Sequence, residues 1–247
     1  MAERGFDDST LWRISAYERQ RSERGDSGFA RLPDSTLLST SMNAELSQLE
    51  RVHRADDVLE IVAACIRYRE SALILLRHDG LVWPLTLFPQ NNLYHLPRSI
   101  DASLQQGSRD MQVLAVEPPG LRPPGHMALE RVAERPGYRS LPPLLWALAL
   151  HVPTARLLRE IAGHAAYRIV SSLSDEGALS GALKPSFIRL RSEIASQRDI
   201  AAWPGMDAER AARLLNGAYL QGGLIVMRSH HAARDAVDAH KNLRGKH

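Results

Sequence analysis

The aromatic residues Trp83, Phe88 and Tyr94, followed at once by His95, have the composition of a small-molecule site: apolar walls with one titratable polar contact. A second cluster with chemical potential is the set of arginines near the C-terminus, Arg198, Arg210, Arg213 and Arg228, whose planar guanidinium groups suit phosphate and base edges. The ten histidines are scattered except for His230-His231. No pair at i, i+4 with a third ligand appears among them, so no metal is expected, apart from adventitious binding by His230, His231 and His240. Cys65 is the sole cysteine, which excludes an intrachain disulfide and a four-cysteine metal site. It lies between Ala64 and Ile66 in an apolar helical pattern, as a small buried hydrophobe does. The sequence contains no G-x-S-x-G, G-x-x-x-x-G-K-[ST], G-x-G-x-x-G or H-E-x-x-H, so neither a catalytic constellation nor a cofactor is expected.

Composition bounds the alternatives. At 247 residues the chain is long enough for one large domain or two small ones, two being expected, and 44% apolar with 24% charged residues is the balance of an ordinary globular protein. A formal charge of +3 does not by itself imply nucleic acid. The N-terminus is polar from its start, unlike a secretory signal, and a cytoplasmic location is expected. The most apolar window, LPPLLWALALHV, is well short of the roughly 20 residues needed to cross a bilayer, so no membrane insertion is expected.

The elements that must position these residues follow from pattern. Residues 1–40 lack a sustained period and read as mostly disordered, the alternative being a short partner-binding helix over Leu11 to Arg19 anchored by Trp12 and Tyr17. An α+β module is expected over 42–120. Its helices carry Leu46, Leu49 and Val52, then, after Asp56 or Asp57 as N-cap, Leu59, Val62, Ala63 and Ile66. Strands Ala72 to Arg77 and Leu81 to Phe88 flank Asp79-Gly80, a strong hairpin signal. Pro84 cannot donate to a ladder and places the second strand at a sheet edge or a bulge. An extended piece at Leu93 to Leu96, a weak helix from Ile100 to Gln106 and a strand from Met111 to Val116 complete the module.

The segment EPPGLRPPGH, Glu117 to His126, marks a linker over 121–140, with a short helix from Met127 to Arg135. Residues 141–229 read as an all-helical module: helices Leu144 to His151, Thr154 to Leu173 and Pro185 to Ser196, a short helix at Arg198 to Trp203, a turn at Pro204-Gly205, a helix opening at Asp207, and a strand Leu224 to Arg228. The tail 230–247 reads as disordered.

From Phe187 to Arg228 the chain resembles the winged-helix module at the C-terminus of bacterial signalling adaptors. The resemblance rests on DIAAWPGM and AARLLNGAYLQGGL, with Ile200, Trp203, Leu214 and Leu215 in core positions. It implies a fold more than an activity. In that frame Glu209, Arg210, Arg213, Asn216 and Gln221 face outward on the third helix, and the leading Asp207 and Glu209 would repel phosphate. The expectation is a non-enzymatic regulatory adaptor that binds a protein partner through Trp83, Pro84, Phe88, Tyr94 and His95. The alternatives are a DNA-binding regulator using Arg198, Arg210, Arg213 and Arg228, and an enzyme whose site the sequence does not display.

Overall fold

Asp79 and Gly80, with φ of 51° and 71°, make the turn that joins β2 (Ala72–His78) to β3 (Leu81–Phe88). Left-handed φ at both positions matches the twist of a two-residue hairpin, and Asp-Gly is among the pairs that tolerate it. The computed structural model describes residues 10–25, 28–29, 32, 37–98, 111–127, 137–152 and 156–233. The chain forms two compact units, Met1–Leu144 with His151–Pro153, and Leu145–Leu150 with Thr154–His247. Both mix helices with antiparallel sheet.

In the first unit β2 and β3 lie at the centre of a sheet ordered β5-β2-β3-β4-β6, where β4 is Leu93–His95, β5 Gln112–Glu117 and β6 Tyr138–Ser140. The register sets Ala72 opposite Leu87 and His78 opposite Leu81. A further short strand, β1 (Trp12–Arg13), pairs with the start of β3, Trp12 opposite Val82. It leads into α1 (Ile14–Arg24), so Trp12 to Arg24 is ordered structure where the sequence reads as mostly disordered. The cause is tertiary. Tyr17 is buried with Phe29 against Leu73, Leu75 and Val82, contacts that no local period announces.

Helices α2 (Thr40–Arg51) and α3 (Val58–Tyr68) start where side chains satisfy exposed backbone donors: the Ser39 hydroxyl accepts from the Met42 N–H at 3.1 Å, and Asp57 Oδ1 accepts from the Leu59 N–H at 3.1 Å. Both helices bury carboxylates only in company. Glu60 is paired with Arg54, and Glu45 lies 3.5 Å from Arg67 and accepts from the Tyr68 hydroxyl at 3.3 Å.

The second unit contains the latter part of α4 (Leu141–His151), then β7 (Ala166–Ile169), α5 (Leu183–Leu190), β8 (Ala195–Ser196), α6 (Gln197–Ala201), α7 (Ala208–Leu220) and β9 (Leu224–Met227). Its sheet is ordered β8-β7-β9, so the expected all-helical module carries three strands. The helix expected from Thr154 to Leu173 is replaced over its described part by a turn-rich segment and β7. Leu157, Leu158 and Ile161 are buried as that reading required, but in turns whose backbone groups are held by distant side chains. The helix expected from Pro185 to Ser196 ends at Leu190, and its last two residues become β8.

Strand β6 carries the first sheet to Ser140, inside the expected linker. The helix expected from Ile100 to Gln106 lies outside the described residues, as do the one expected after Met127 and the tail beyond Ala233. No helix among the described residues is long and apolar enough to cross a membrane.

Candidate functional site

The aromatic set is internal. Trp83, Pro84, Phe88, Tyr94 and His95 are all buried. The Trp83 indole N–H donates to the His78 carbonyl at 3.3 Å and its ring lies 5.8 Å from the His78 imidazole. His95 meets Tyr138 edge-on at 5.0 Å, and Phe88 lies 6.1 Å from the same ring. A Cβ at Gly137 would overlap the His95 ring, so the glycine is what lets β6 approach. The five residues expected as a partner or ligand surface therefore join the strands of the first sheet, as buried aromatics commonly do.

Pro84 is not on an open edge strand. It stands opposite Leu75 in the β2–β3 ladder, and on the other side of β3 it lies between Val82, paired with β1, and Thr86, paired with β4. A residue without an N–H fits the short interval where neither neighbour pairs.

The arginine set is also largely committed. Arg213 donates to Glu209 Oε1 from Nε at 3.1 Å and from Nη2 at 2.9 Å, and Nη1 donates to the Leu150 carbonyl. Arg228 donates to the carbonyls of Ala162 and Glu160 at 2.8 and 2.9 Å. Arg210 donates to the Gly205 carbonyl at 2.6 Å and Arg198 is exposed. Asn216, expected to face outward, is 0% exposed. Its side-chain oxygen accepts from the Leu158 N–H at 3.0 Å and its amide donates to the Arg156 carbonyl at 2.8 Å.

These bonds change what α7 is. From Ala211 to Leu220 every residue is buried except Arg213 and Tyr219, which are half-buried. Gly217 admits the indole of Trp146, and Asn216 grips the segment at 156–158. Beyond its exposed first turn, Ala208 to Arg210, the helix reaches solvent only in part, at Arg213 and Tyr219, which leaves little of it free to lie in a major groove.

The chemistry of the remaining groups is quiet. Burial pushes the Cys65 thiol up to about 12, so it is not a thiolate near neutrality. Burial likewise pushes the Tyr167 phenol up to about 12, with the Arg228 charge opposing it. No group of three His, Cys, Asp or Glu among the described residues has the proximity to hold a metal.

No family model, no curated protein and no solved structure matches the chain.

What the described surface does offer is strand β9. Among the described residues it is an edge of the second sheet and pairs only with β7, and none of its residues is fully buried. Leu224, Ile225, Val226 and Met227 include no lysine, no proline and no bulge, the usual devices that blunt an edge. Ile225 is 42% exposed and stands opposite the exposed Arg168 of β7. The sequence placed a strand here but carried no sign that its outer side stays open, because that depends on the order in which β7 and β8 join the sheet.

Proposed function

We propose that the protein is a non-enzymatic regulatory adaptor that binds an extended segment of a partner protein along β9. The observation that carries this reading is the open, uncharged edge of Leu224–Met227. Its outer backbone donors and acceptors, which no described residue pairs, are complementary to another strand and to little else. The exposed Arg168 beside Ile225 favours a segment with an acidic side chain on that face.

The order α5, β8, α6, α7, β9 supports a winged-helix kinship for the second unit, with β9 at the start of the wing. The burial of α7 argues for a module turned to protein binding, since beyond the first turn its third helix has little surface to present to DNA. The test is capture of nuclease-resistant protein partners by the full chain and by its Ile225→Lys variant. A lysine on the edge is expected to abolish capture while leaving the fold intact.

A further inference from the structure

Strand β9 presents its edge in a fixed hydrogen-bond phase. The Val170 N–H donates to the Gly223 carbonyl at 2.9 Å, one step beyond the Ile169–Leu224 pair of the β7–β9 register. Bonded and non-bonded pairs alternate along an antiparallel ladder, so Arg168–Ile225 and Ala166–Met227 are the bonded pairs. The backbone groups of Tyr167 and Ile169 turn the other way, which agrees with the pairing of Tyr167 with Ala195 of β8. On β9 the groups that turn outward are therefore those of Leu224 and Val226, and no described residue pairs with them there. Side chains follow the same alternation. Leu224 and Val226 stand opposite the buried Ile169 and Tyr167 on the inner face, and Ile225, 42% exposed, stands opposite the exposed Arg168 on the outer face.

This phase decides how two β9 strands could meet, because outward groups must face outward groups. Full antiparallel overlap of Leu224–Met227 fails, since it sets Val226 opposite Ile225, whose backbone groups point to β7. A twofold axis at Val226 would need the backbone of Arg228, which lies beyond the strand. An axis at Ile225 succeeds: Leu224 of each copy meets Val226 of the other, and each of these pairs exchanges both of its backbone bonds. The inner face then continues as Leu224 and Val226 from both copies, and the exposed Ile225 is covered by its own mate. The strand carries no charge, so no like charges oppose each other. The two copies of Arg168 would stand three strand spacings apart, about 14 Å, beyond the screening length of roughly 8 Å at physiological salt. Each is also held on its own protomer, where Nε donates to the Arg191 carbonyl at 3.2 Å.

We propose that β9 pairs with β9 of a second copy of this chain about a twofold axis at Ile225, masking the edge until a partner segment displaces the copy. Resting as it does on β9 being a strand-accepting edge, this pairing makes the two three-stranded sheets continuous. A strand of four residues buries far less than the roughly 1,200 Å² of a stable interface, so the dimer dissociates readily. It also lacks the acidic side chain that Arg168 favours, and a segment that carries one outcompetes it.

In this register the two Ile225 residues form a non-hydrogen-bonded pair with Cα atoms about 4.5 Å apart, within the range of a disulfide. The single native cysteine, Cys65, is fully buried and does not compete. Full-length Ile225→Cys under mild oxidation should form a covalent dimer about 10-fold or more faster than Arg168→Cys, which is exposed on the same face but roughly 14 Å from its copy. Sedimentation of the parent chain should show a reversible, concentration-dependent dimer that Ile225→Lys abolishes. Equal crosslinking rates in the two cysteine variants, or a parent that stays monomeric up to about 1 mM, would overturn self-pairing. If self-pairing fails while a photo-crosslinker at 225 still captures a different protein, the adaptor reading stands with a foreign strand as the occupant. Failure of both removes the edge itself as a site.

Discussion

Gly217 of α7 lies flat against the indole of Trp146: a Cβ at position 217 would overlap Cζ3 and Cε3 of that ring. The indole cannot retreat. It is fully buried, donates to the Ser174 carbonyl at 3.4 Å and meets Phe187 edge-on at 6.0 Å. The contact turns a helix that reads as a recognition helix into the centre of the second unit.

Gly217→Ala sets two effects against each other. The helix gains about 1 kcal/mol of propensity, and overpacking against an immobile ring costs about 1–3 kcal/mol. Overpacking should win, giving a net loss of about 1–2 kcal/mol in urea unfolding. A stabilised variant would show that the indole has room to move.

Arg213 separates a structural arginine from a DNA contact. Arg213→Ala removes the bonds to Glu209 and the Leu150 carbonyl and should cost about 1–2 kcal/mol of stability. Arg210→Ala, at an exposed site, should stay within about 0.5 kcal/mol of the parent. Neither should change binding to duplex DNA or its salt dependence. A marked loss of duplex affinity in Arg213→Ala at unchanged stability would restore the nucleic-acid reading.

The pH dependence of the second unit should carry the mark of Tyr167. Its phenol is raised from 10.0 to about 12 in the fold, chiefly by burial, and donates to the Ile161 carbonyl at 2.6 Å. Above pH 10 the unfolded chain releases a proton that the folded chain keeps. The stabilisation is therefore complete below pH 10 and is lost as pH rises toward about 12, with a slope approaching 1.4 kcal/mol per pH unit at most. Tyr167→Phe should flatten this alkaline limb in denaturant titrations between pH 9 and 12. An unchanged limb would assign it to other groups.

Local chemistry was legible in the sequence. Asp79-Gly80 gave the hairpin, Asp207 gave one N-cap and the choice of Asp56 or Asp57 contained another, which falls on Asp57, and the strand at Leu224 ends within one residue of its expected position. Long-range commitments were not. The spacing of Leu157, Leu158, Ile161 and Ile169 fits a helix, yet the carbonyls of residues 156, 160 and 162 are claimed by Asn216 and Arg228, some 60 residues away or more. A side chain that reaches that far leaves no period to read. The same blindness explains the candidate sites: Trp83, Pro84 and His95 look like a surface until β1, β4 and β6 are placed beside them, and Asn216 looks outward until its two backbone partners are known.

Whether β9 is a strand-binding edge is decided by placing a photo-crosslinking amino acid at position 225 of the full chain and irradiating in the native cell extract after nuclease treatment. A discrete protein adduct is expected at 225, and it should disappear when the crosslinker is moved to exposed Glu209, remote in sequence from the edge. Equal labelling from both positions, or no protein adduct at 225, would contradict it.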